Sequence, residues 1–134
     1  MNKLQRHALE DVEMLAKALD PNIMDFDYWK REDIVCGTKA CLAGYAITFL
    51  PSVQKLGLSL KQRNPESDYW ELALNGKISN GRDNYTEGLN ALTQAFGVPY
   101  IIIEKIFGAN AENLETKLAL KNSVTQIKKY LRTH

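Results

Sequence analysis

Both cysteines of the chain lie in one short run, Cys36-Gly37-Thr38-Lys39-Ala40-Cys41-Leu42-Ala43-Gly44, with Trp29 a little upstream. Thiolates so placed suit two chemistries, metal ligation and nucleophilic attack, and each demands partners elsewhere in the chain. A structural zinc site takes four ligands, commonly as two Cys or Cys/His pairs. No second pair exists, because the only histidines are His7 and His134. No metal ligand and no cofactor are therefore expected. Walker-type loops, GxGxxG, HExxH and EF-hand patterns are absent, and NGKISNGRDNYTEG at 75–88 lacks the alternating oxygen ligands of a calcium loop.

A thiol at the start of a helix is acidified by the positive end of the helix dipole, and Lys39 would add to that effect. A thiol-dependent enzyme or small-ligand binder at Cys36 and Cys41 is accordingly one reading. The run is similar in outline to the Cys-Gly-Ser-Cys stretch of papain-like proteases, which place a tryptophan after the second cysteine and a histidine base downstream. Here Leu42 follows Cys41 and the downstream histidine is His134, so no catalytic residue is assigned; His7 is the other base candidate. The structural reading makes Thr38 an N-cap and predicts a helix from about Lys39 to Leu50, stopped by Pro51. Gly37 would turn the chain into it. Ala40, Gly44 and Thr48 would then form a small-residue face for close packing, which explains a glycine that costs about 1 kcal/mol against alanine in mid-helix.

The elements that must position these residues follow from periodicity. Leu4, Ala8, Val12, Leu15 and Leu19 recur at helical spacing until Asp20-Pro21. The stretch 22–35 has no period and clusters Phe26, Tyr28 and Trp29 among charges, which predicts an ordered loop anchored by aromatics. Alternation in LGLSLKQ and the Asn75-Gly76 pair predict a small β-element, while Ser67 or Asp68 before YWELAL equally allows a short helix. Thr86 is expected to cap a helix bearing Leu89, Leu92, Ala95 and Phe96 and stopped by Gly97. Pro99 opens another, Tyr100 to Phe107, closed by Gly108; a last helix, with a possible break near Asn122, carries Leu114, Leu118, Val124, Ile127 and Leu131. The fold class is mainly α: one compact helical domain over 1–134 with a small β-hairpin around residues 56–79.

Charge narrows the partners. Lys and Arg total 17 against 16 Asp and Glu, so no global field favours nucleic acid or an anionic membrane. The longest apolar runs fall short of the roughly 20 residues a spanning helix needs. Acids at Glu10, Asp11 and Glu13 stand where a signal peptide would be apolar, so a cytoplasmic location and no membrane partner are expected. Residues 89–106 fit a helix-turn-helix template with Gly97 in the turn, yet the second helix offers only Glu104 and Lys105 as charges. Because phosphate contacts dominate affinity for DNA, an ordinary helical corner is the better reading. The local basic excess is in the last helix: Lys117, Lys121, Lys128, Lys129, Arg132 and His134.

Phe26, Asp27, Trp29, then Cys36, Gly37, Thr38, Cys41, Gly44 and Ala46, resemble an FD..W…CGTxxCxxGxA motif of small, largely uncharacterised bacterial and phage proteins. Ala95-Phe96-Gly97-Val98 through Ile106-Phe107 is similar to a later segment in that set, and 51–85 is unmatched. The resemblance implies a shared fold in which Thr38 caps a helix, Cys36 and Cys41 pack under Trp29, and Gly44 permits close contact. It implies no activity.

The expected function is a small cytosolic protein-interaction module, a phage-encoded modulator of a host or cellular protein, and not an enzyme. Its interface is placed at Tyr100, Ile101 and Ile102, where apolar residues exceed the needs of one helix face. The alternative is nucleic-acid binding through the 89–107 corner and Lys128, Lys129 and Arg132.

Overall fold

Asn2 and Gln5 begin the first helix by exchanging bonds: the Gln5 N–H donates to Asn2 Oδ1 at 2.8 Å, and the Asn2 N–H donates to Gln5 Oε1 at 2.9 Å. This capping box satisfies two of the donors every helix start leaves open. Helix α1 then runs Lys3–Ala18 and buries Ala8, Leu9, Val12 and Ala16. A computed structural model describes residues 1–20, 30–33, 37–39, 42–62, 64–66, 69–78, 84–108 and 116–134.

A small antiparallel sheet follows. Strands β1 (Lys30–Asp33) and β2 (Gly37–Lys39) pair with Glu32 opposite Thr38. This corrects the helix entry predicted from Thr38. Its backbone lies in a strand ladder, and helix α2 starts only at Leu42 and runs to Phe49, too far along for Thr38 to cap it. Pro51 opens a separate short helix, α3 (Pro51–Gln54). Strand β3 (Leu58–Lys61) pairs with β4 (Tyr69–Leu74), Leu58 opposite Leu74 and Leu60 opposite Leu72, so YWELAL is strand and not helix. Its other edge takes β1 through Lys30↔Trp70 and Arg31↔Tyr69, and β5 (Lys77–Ile78) through Leu74↔Lys77. The β4–β5 hairpin turns on Asn75 and Gly76 at φ 52° and 82°. Positive φ at both central residues is what a tight two-residue hairpin requires.

Three helices complete the domain. Helix α4 (Asn84–Phe96) starts two residues before Thr86, so Thr86 lies inside the helix and does not cap it. It ends at Gly97, whose φ of +66° favours glycine. Helix α5 (Tyr100–Phe107) follows Pro99, its N-cap residue, and closes at Gly108. Helix α6 (Thr116–Thr133) is continuous through Asn122. The Asn122 amide donates to Lys105 O at 3.0 Å, and the buried Ser123 hydroxyl reaches Ile106 O and Ala119 O. Two side chains of α6 thus bond the final carbonyls of α5, groups of the kind a helix end leaves open.

One core joins these layers. Leu9, Val12, Leu42, Val53, Leu72, Leu89, Leu92, Phe96, Ile103, Ile106, Phe107 and Ile127 are essentially fully buried, with Phe96 and Phe107 rings 5.7 Å apart. The fold is mainly α with a small antiparallel sheet. Among the described residues no helix is long and apolar enough to cross a membrane.

Candidate binding surface

The cysteine run contributes little that can be built into a site. Trp29, Cys36 and Cys41 lie outside the described residues. Gly37 and Thr38 sit in β2 at the sheet margin, and Gly44 is buried in α2. Among the described residues no three His, Cys, Asp or Glu side chains converge as a metal site would need.

A different constellation joins α1 to α3. The Ser52 hydroxyl, on a buried residue, donates to Asp11 Oδ2 at 2.6 Å, and His7 Nε2 lies 3.4 Å from the same oxygen. Serine, aspartate and histidine are the residue types of a hydrolase triad. The order is wrong for one: general-base activation needs the imidazole between hydroxyl and carboxylate, and here the carboxylate is in the middle. Asp11 holds the serine proton in a stable bond and pins α3 onto α1. The i,i+4 spacing of His7 and Asp11 is visible in sequence, whereas nothing in sequence ties either to Ser52.

One side chain of α1 ties onto the end of α4 at the α4–α5 corner. Gln5 Nε2 donates to Ala95 O at 3.1 Å, near the end of α4, while the same amide completes the α1 capping box. Just beyond, a Cβ on Gly97 would stand 2.9 Å from the Gln5 amide, so Gly97 serves close approach as well as the turn. Of the three residues expected to form an interface, Ile101 is outward and 61% exposed, while Tyr100 and Ile102 are partly buried against the core. They therefore do not present one common outward face.

Helix α6 has the most uneven surface among the described residues. Lys117, Lys121, Lys128, Lys129 and Arg132 are exposed, and the helix contains no carboxylate. Taking away those five cations leaves 12 Lys and Arg against 16 acids in the rest of the chain, so the near-neutral total conceals a segregated charge. Lys117, Lys121, Lys128 and Arg132 follow steps of four or seven residues and share one side of the helix. Arg6 joins them from α1, its guanidinium donating to Leu131 O at 3.0 Å and lying 3.7 Å from Glu10.

The helix dipole accounts for only part of this set. Cations near a helix C-terminus are favoured, which covers Lys128, Lys129 and Arg132. Lys117 is in the first turn, where a cation opposes the positive end by about 0.3–1 kcal/mol, and no acid accompanies it there. Between this half of α6 and the end of α1 lies an open groove of about 540 Å³. Ala16, Leu19, Leu120 and Val124 form its apolar floor; Lys17, Lys117 and Lys121 stand around it. Lys17 Nζ is 2.8 Å from Glu13 Oε2, and the bond to this carboxylate holds the ammonium above its ordinary range. Leu118, next to Lys117 in the chain, is 49% exposed. No protein family, curated protein or solved structure matches the chain.

Proposed function

We propose that the chain is a protein-interaction module that works by binding and not by catalysis, and that it receives an acidic partner on α6. One observation carries this reading: five exposed cations on α6 with no carboxylate among them, on a domain otherwise rich in acids. Such segregation steers encounter with an oppositely charged surface and suppresses like-charged ones. A protein partner is favoured over nucleic acid because apolar surface, Leu118 and the neighbouring groove, lies among the cations. Interfaces between proteins combine an apolar centre with a polar rim. Ile101 offers a separate apolar contact on α5.

Affinity capture from bacterial lysate tests it. The chain is compared, with and without nuclease, to a variant carrying Lys128→Glu, Lys129→Glu and Arg132→Glu. An acidic protein retained after nuclease, released by about 0.5 M salt, and lost on charge reversal is the expected result. Capture of nucleic acid alone, or of a protein indifferent to the reversal, overturns the reading.

A further inference from the structure

We propose that the groove between α1 and α6 receives an amphipathic acidic helix of a partner protein, its apolar side on Leu19, Leu120 and Val124 and its carboxylates on Lys117 and Lys121. The inference rests on the protein-binding reading above and specifies the chemistry of the partner. Lys117 to Thr125 spans about 12 Å, a little over two helical turns, so the floor matches apolar anchors recurring at i, i+3 or i+4, and i+7 along one helix. Among the described residues the groove faces solvent. A small apolar ligand seeks an enclosed cavity that covers most of its surface, which this groove does not provide. Single-stranded nucleic acid stacks its bases on aromatic side chains, and among the described residues none lines this floor.

Charge decides the rest. The Lys17 ammonium is already engaged by Glu13 at 2.8 Å, so it adds little field for a ligand. Lys117 and Lys121 make no ion pair among the described residues, and both are exposed at the groove's edge. An isolated apolar helix would leave these ammonium groups uncompensated, whereas carboxylates flanking its apolar side meet them one turn apart. The first-turn position of Lys117, unfavourable to the helix that carries it, has a use in this arrangement.

The probe is a fluorescent helical peptide of about 15 residues, with leucines at i, i+3, i+4 and i+7 and glutamates on both sides of that stripe. Anisotropy is read at low and physiological salt, beside a scrambled peptide of equal composition and an oligonucleotide of equal charge. The expected result is saturable binding about tenfold tighter for the amphipathic peptide than for the scrambled one. Lys121→Glu, at an exposed position that cannot be confused with unfolding, is expected to weaken it about tenfold, and Val124→Gln similarly with circular dichroism unchanged. Equal affinity for both peptides overturns the groove proposal while leaving the charged face of α6 standing. Binding of the oligonucleotide alone, or of neither peptide even at low salt, overturns both. Concentration-dependent dimerisation abolished by Lys121→Glu also overturns the proposal, since a second copy would then be the occupant.

Discussion

Replacing Gln5 with glutamate isolates one of the two hydrogen bonds its side chain makes. The new carboxylate still accepts the Asn2 N–H, and the backbone bond to Asn2 Oδ1 is untouched, so the capping box survives. It also adds an anion to a first turn that has none, worth about 0.3–1 kcal/mol in favour of folding. What disappears is the donor to Ala95 O, 3.1 Å away, leaving a part-buried carbonyl facing a carboxylate oxygen. Losing such a partner costs about 1–3 kcal/mol, so the net destabilisation at neutral pH is about 1 kcal/mol, or a few degrees in Tm for a domain of this size. Acid reverses the loss, because a protonated carboxyl regains a donor for Ala95 O and that gain exceeds the first-turn benefit of the anion. Urea titrations of both proteins should differ by about 1 kcal/mol at pH 7 and converge towards pH 4, where a protonated carboxyl can again donate to Ala95 O. If the variant matched or exceeded the natural chain at pH 7, the link from α1 to the end of α4 would contribute nothing and the α4–α5 corner would have to be held by packing alone.

Gly97→Ala should destabilise by about 1–2 kcal/mol, through its left-handed backbone and the 2.9 Å approach to Gln5, and a double-mutant cycle with Gln5→Ala should recover the second part only. Ser123→Ala should cost about 1 kcal/mol by urea unfolding, because it strips the buried Ile106 carbonyl of its donor while gaining a little helix propensity. Lys117→Glu should raise stability by about 0.5 kcal/mol while weakening capture of an acidic partner, a pair of opposite signs readable by Tm and by binding.

The regular helices were legible because their apolar residues repeat and their stops are local. Gly97 and Gly108 end helices where the pattern ends, whereas the Asn2–Gln5 capping pair is not visible in the apolar repeat. The Asn75-Gly76 turn was legible for the same reason, being complete within a few residues. What escaped was decided at a distance. The Lys30–Asp33 segment has no apolar alternation to mark a strand, and its pairing with Tyr69 and Trp70 depends on residues far along the chain. Thr38 has the side chain of an N-cap, but the ladder with β1 claims its backbone first. Asn122 reads as a helix breaker until the end of α5 supplies a carbonyl for its amide. The cations of α6 are visible in sequence, whereas the groove beside them exists only because Ala16 and Leu19 of the first helix region pack across from Leu120 and Val124.

The two ends of α6 therefore carry the same charge for different reasons. At the C-terminal end Lys128, Lys129 and Arg132 complement the helix dipole, and would be retained by a helix with no partner at all. At the N-terminal end the dipole opposes Lys117, which makes no ion pair among the described residues, while Glu13 is engaged with Lys17. A domain selected for stability alone would place Asp or Glu there. A cation held against its own helix, beside an apolar floor and with no carboxylate partner among the described residues, is a local cost that binding can repay. That mismatch, more than the total charge of the helix, distinguishes the α1–α6 groove from an ordinary solvated helix face.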